Sequence, residues 1–181
     1  MRKFVVGLLT GLLLIVVVVT SSESAPIPAY APTTYSVPAE VKPVVDRLGI
    51  TDRTVKIKTD FPCKPGARAC FDTAIHFPLT SLRLSEQEQN AVLAHEYMHY
   101  VHTKLDDTDR TKYEQLAVGV YNQSELFQKR MKWYVERNIL DNDEILAVAC
   151  TEVSDSILPA ELYQYCVKYL PNRLVLPSNI R

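Results

Sequence analysis

Residues 91–100 read AVLAHEYMHY, and the fold turns on how this stretch is read. His95 and His99 stand four apart, Glu96 follows the first of them, and every other position is apolar or aromatic. Just upstream, Ser85 and Glu88 form the S-x-x-E pattern of a capping box, which starts a helix at about residue 85 and carries it to about Lys104. On that helix, at 100° per residue, His99 lies near 40° from His95 and about 6 Å along the axis, so both imidazoles share one face. Leu93, Ala94, Tyr97, Met98, Tyr100 and Val101 cover most of the remaining surface. A helix apolar on most sides is buried, and burying two imidazoles and a carboxylate is costly unless something satisfies them. A divalent cation does so directly. Glu96, rotated aside, is placed to reach a water on that ion, which is the position of a general base.

The rest of the chain frames this helix. Its 181 residues suit one compact domain. The net charge of -1, with Lys and Arg spread along the chain, excludes the concentrated basic face that nucleic-acid binding needs. Residues 1–20 begin MRK and continue as an uncharged apolar run from Phe4 to Thr20, the pattern of a signal-anchor or a signal peptide. Residues 21–36, rich in Pro, Ser, Thr and Ala, read as an extended tether. The folded domain is expected over 37–181. Both membrane readings place it outside the cytoplasm, anchored by the N-terminal helix or secreted after cleavage.

Four cysteines agree with that address. An oxidising compartment favours disulfides. Of three possible connectivities, local pairing joins Cys63 to Cys70 and Cys150 to Cys166. The Pro65-Gly66 turn between the first pair predicts a clipped hairpin. TVKIKT and TAIHF read as strands around it, with His76 facing solvent. A short helix ending at Gly49 precedes them, and helices are expected at about 109–122, 125–138, 142–154 and 160–169. The fold class is therefore α+β, a small N-terminal strand layer followed by a mainly helical body.

The H-E-x-x-H motif at His95-Glu96-Tyr97-Met98-His99 resembles that of the zincin metallopeptidases. The resemblance implies a zincin-like fold, Zn2+ as cofactor, His95 and His99 as ligands, and Glu96 as general base on a zinc-bound water. It also implies a peptide or protein substrate, paired in extended form along the TAIHF strand. A third protein ligand is required. The metzincin extension fails: its glycine position holds His102 and its ligand position Leu105, with Asp106 one residue late. The gluzincin group instead takes a glutamate from a later helix, and Glu152 in EILAVACTEVSDS is the leading candidate, with Glu144 and Glu114 as alternatives. Asp155 is then expected to hydrogen-bond a ligating imidazole, and His102 to sit at the rim or behind the ligands. Tyr163 and Tyr165 are possible oxyanion partners. Two other readings compete: a non-catalytic, membrane-tethered zinc-binding surface or interaction domain, and a structural domain with a fortuitous motif.

Overall fold

Ser85 caps the central helix as its sequence predicts: its Oγ accepts from the Glu88 backbone N–H at 3.3 Å, and Glu88 Oε2 accepts from the Ser85 N–H at 3.1 Å. A computed structural model describes residues 37–60, 63, 64 and 66–173. The expected anchor at 1–20 and tether at 21–36 lie outside the described residues. All described residues belong to one unit, Thr34–Arg181. Among them, no helix is long and apolar enough to cross a membrane.

The architecture is α+β and mainly helical. The first helix, α1 (Lys42–Leu48), has proline in its first turn and stops at Gly49, whose φ of 69° is the left-handed conformation glycine tolerates. A Cβ at Gly49 would lie 2.9 Å from Pro171 Cγ, so Pro171 and Asn172 pack against this turn. Three two-residue strands follow: β1 (Ile57–Lys58), β2 (Cys70–Phe71) and β3 (Ile75–His76). Their order is β1-β3-β2, with β1 parallel and β2 antiparallel to β3.

This layer differs from the expected clipped hairpin. A turn is present at Gly66, which has φ 88°, and the Ala67 N–H bonds to Lys64 O at 3.1 Å. The hairpin itself is β2–β3, closed through Asp72, whose Oδ1 accepts from the Ala74 N–H at 3.0 Å. TAIHF thus supplies the central strand, paired on both sides, and offers no free edge to an extended substrate. His76 is buried as well. Its Nδ1 lies 2.6 Å from Asp60 and its Nε2 3.1 Å from Asp72, because a central strand in so small a layer is covered on both faces.

After a 3-10 turn at Leu79–Arg83 come α2 (Glu86–His102), α3 (Asp107–Gln123), α4 (Glu125–Glu136), α5 (Asn142–Glu152) and α6 (Ala160–Tyr169), with a second 3-10 turn at Asp155–Ile157. Asp106, Ser124 and Asp141 each accept a backbone N–H at the start of a helix. Helix α5 packs against α2, α3 and α6. Ile145 through Cys150 are all buried, and small residues (Ala147, Ala149) let the neighbouring helices approach closely. Leu93, Met98, Leu146, Val148 and Leu162 join them in a single core with Val44, Leu48 and Phe77.

Both local disulfides form: Cys63–Cys70, and Cys150–Cys166, which fastens α5 to α6. Disulfides of this kind belong to an oxidising, extracytoplasmic environment.

Candidate metal centre

His95 and His99 project from one face of α2 and converge. Their Nε2 atoms are 3.1 Å apart. The third partner comes from the first turn of α5: Glu144 Oε2 lies 3.2 Å from His95 Nε2, and Glu144 Oε1 lies 3.6 Å from His99 Nε2. One ligand atom from each of the three lies within 4.8 Å of the others, the arrangement of a group able to hold a metal ion. For tetrahedral bonds of about 2.1 Å, donors are separated by about 3.4 Å, close to what is seen. Glu144 Oε2, one of the converging atoms, is buried with no well-aligned hydrogen bond among the described residues. The residues present therefore fit a divalent cation.

The sequence reading preferred Glu152 as the third donor, and the structure brings Glu144 to that place instead. The end of α2 meets the start of α5, which sets the first turn of α5 beside the imidazoles. Glu152, about 12 Å further along the helix axis, pairs with Arg130 of α4, whose Nε lies 2.9 Å from Glu152 Oε2. Glu152 acts on His95 through its charge. Glu114, the other alternative, lies against His102 rather than against the donors. Asp155 does not reach an imidazole; it is half-exposed and bonds Arg173 at 3.1 Å. The role given to it belongs to Asp143, whose Oδ2 lies 2.7 Å from His99 Nδ1. His102 is buried behind the ligands, its Nδ1 against the other oxygen of the same Asp143 carboxylate.

Around this cluster the electrostatics are dense. Burial opposes a charged His95, but the Glu144 carboxylate beside it and the charges of Glu96 and Glu152 outweigh it, and the imidazole is pushed up to about 9. Glu96 is raised as well. Burial holds it above the ordinary range against the pull of His95 and His99, with Glu144 and Asp143 adding to the rise. Burial also disfavours ionised Asp143 and Glu144, yet their histidine partners keep both below the usual carboxylate range. Tyr134 of α4 stacks on His95 with ring centroids 6.2 Å apart and walls one side of the group. Tyr163 is partly exposed, and Tyr165 is buried between Tyr113 and Tyr169.

Asp143 and Tyr134 were not singled out as the site's partners by sequence reasoning, and Glu144 was named there only as an alternative to Glu152. The available signal was that the Asp141 cap leaves two further acids in a first turn that runs directly into a wholly buried segment.

Comparison of the chain with protein-family models, with curated proteins and with solved structures finds no match.

Proposed function

We propose that this protein is a zinc-dependent peptidase of the zincin type, acting outside the cytoplasmic membrane and either tethered by its N-terminal segment or released from it. The observation that carries the reading is the convergence of His95, His99 and Glu144 beside Glu96, a half-buried glutamate on the helix of the two histidines. The order of strand layer, motif helix and later helix with a carboxylate donor supports a zincin-like arrangement. The doubly paired β3 departs from it, so substrate pairing along that strand forms no part of the proposal.

His95, His99 and Glu144 would hold Zn2+. Two imidazoles and one carboxylate are a donor set suited to zinc and leave room for a fourth ligand. When bound, the ion supplies Lewis-acid chemistry, acidifying a water and polarising a carbonyl. The chain's own groups do the rest. Glu96 takes a proton at its carboxylate and returns it to the leaving amine; its raised affinity for protons suits both halves of that task. Asp143 holds the His99 ring with Nε2 turned toward Glu144. Tyr134 shields His95 and limits water on that side.

The same donors would also serve a metal-holding surface domain without catalysis, and Glu96 distinguishes the two, because such a domain has no use for that carboxylate. Digestion of a peptide library by the full chain tests the proposal. Cleavage that chelator stops and zinc restores is expected. Absence of cleavage by zinc-loaded protein contradicts it.

A further inference from the structure

His102 is not one of the three converging donors, yet it is buried at the end of α2 with only 8% of its side chain exposed. A polar ring in such a place needs partners; a carboxylate lies in ion-pair contact on each side of it, while His102 Nε2 and Asp143 Oδ1 have no well-aligned hydrogen bond among the described residues. Nδ1 meets Asp143 Oδ1 from α5, and Nε2 lies 3.0 Å from Glu114 Oε1 of α3. Asp143 turns its other oxygen, Oδ2, to His99 Nδ1 at 2.7 Å. Asn142 Nδ2 donates to the second oxygen of Glu114 at 3.4 Å. A continuous line of contacts therefore runs from Glu114 through His102 and Asp143 to His99, drawing on three helices. Asp143 has no capping duty that would explain its orientation, because Asp141 already accepts the N–H at the start of α5.

We propose that His102 and Glu114 are positioning residues for the metal group. They clamp the Asp143 carboxylate through one oxygen so that the other fixes the His99 ring. A carboxylate bonded at a single oxygen pivots about its terminal torsion, which is broad; one held at both oxygens does not. His99 Nε2 is thereby kept aimed at Glu144 and His95. The inference rests on the reading that His95, His99 and Glu144 hold a divalent cation. It adds that α3, which contributes no donor, sets the quality of that site.

The test is zinc affinity of the full chain, measured by chelator competition, with the visible spectrum of the Co2+-substituted protein as a second readout. Wild type should take up one ion. His102→Ala should weaken binding by roughly 10- to 100-fold, the usual cost of losing an outer partner of a ligand, and should alter the cobalt spectrum. His102→Asn, which keeps an N–H near the position of Nδ1, should recover most of the affinity and the wild-type spectrum. Glu114→Gln should shift affinity in the same direction by less, and it serves should His102→Ala fail to fold. Wild-type affinity and spectrum in both His102→Ala and Glu114→Gln would overturn the inference while leaving the metal site intact. Equal losses in His102→Ala and His102→Asn would also overturn it, since the ring would then matter only as filling. No metal bound by wild type would overturn the underlying site as well.

Discussion

Glu144 and His95 face each other across 3.2 Å from two different helices, α5 and α2, and neither can be brought there without the other helix packing in register. That relationship is not contained in the H-E-x-x-H motif. Two histidines on one helix are fixed by sequence alone, but a third donor has to be delivered by the fold.

Exchange of the two candidate glutamates therefore has opposite consequences. Glu144→Gln should lower zinc affinity by roughly 100-fold and should remove part of the stability that the charged His95 gives the metal-free fold below about pH 9. Glu152→Gln should leave the zinc stoichiometry unchanged but destabilise the protein, because it removes the carboxylate that pairs with the part-buried Arg130 guanidinium. Calorimetric zinc titration and urea denaturation of the two variants distinguish these outcomes.

Asp143→Asn keeps the shape of the side chain and removes its charge. A weakening of zinc binding of roughly 10- to 100-fold is expected from the loss of the contact that orients His99. Equilibrium dialysis against a zinc buffer checks it.

Proton and metal compete for His95. With the metal-free imidazole pushed up to about 9, zinc affinity should climb as pH rises and level off near that value, with proton release on binding. The metal-free fold should respond in the opposite sense. A histidine raised in the folded state stabilises fully below its unfolded value of about 6.5, and that contribution is lost as pH climbs through about 9. Denaturation in the presence of chelator, between about pH 6 and about pH 10, should show stability falling across this window.

The disulfide Cys150–Cys166 spans 16 residues and joins the donor-bearing α5 to α6. Loops of that length are worth about 3 kcal/mol, so the double substitution to serine should lower the melting temperature by several degrees. Saturating zinc should restore part of the loss, because an ion that binds only the folded state stabilises it. Thermal melts with and without zinc report both effects.

What the sequence disclosed follows from the range of the interactions involved. The Ser85–Glu88 box, the histidine pair, and the partners Cys63–Cys70 and Cys150–Cys166 are contacts between residues near in the chain, so spacing alone reveals them. Helix α6 begins and ends where Pro159 and the apolar period place it. The parallel pairing of Ile57 with Ile75 was hidden, because a parallel neighbour is joined by a crossover and leaves no turn signature. Glu144 stood second to Glu152 for another reason. An acid in a first helical turn is ordinarily explained by the helix dipole, and only the packing of α5 on α2 turns this one inward. Glu152 looked the better donor because small residues surround it, but those residues serve the approach of neighbouring helices, and the carboxylate is met by Arg130 from α4.

The central claim is that Glu96 is a base beside a metal held by His95, His99 and Glu144, and Glu96→Gln tests it most directly. The account predicts a variant that binds one equivalent of zinc as wild type does and no longer cleaves peptides that the wild type cleaves. Peptide hydrolysis undiminished in Glu96→Gln, or no zinc bound by the wild-type chain, would contradict it.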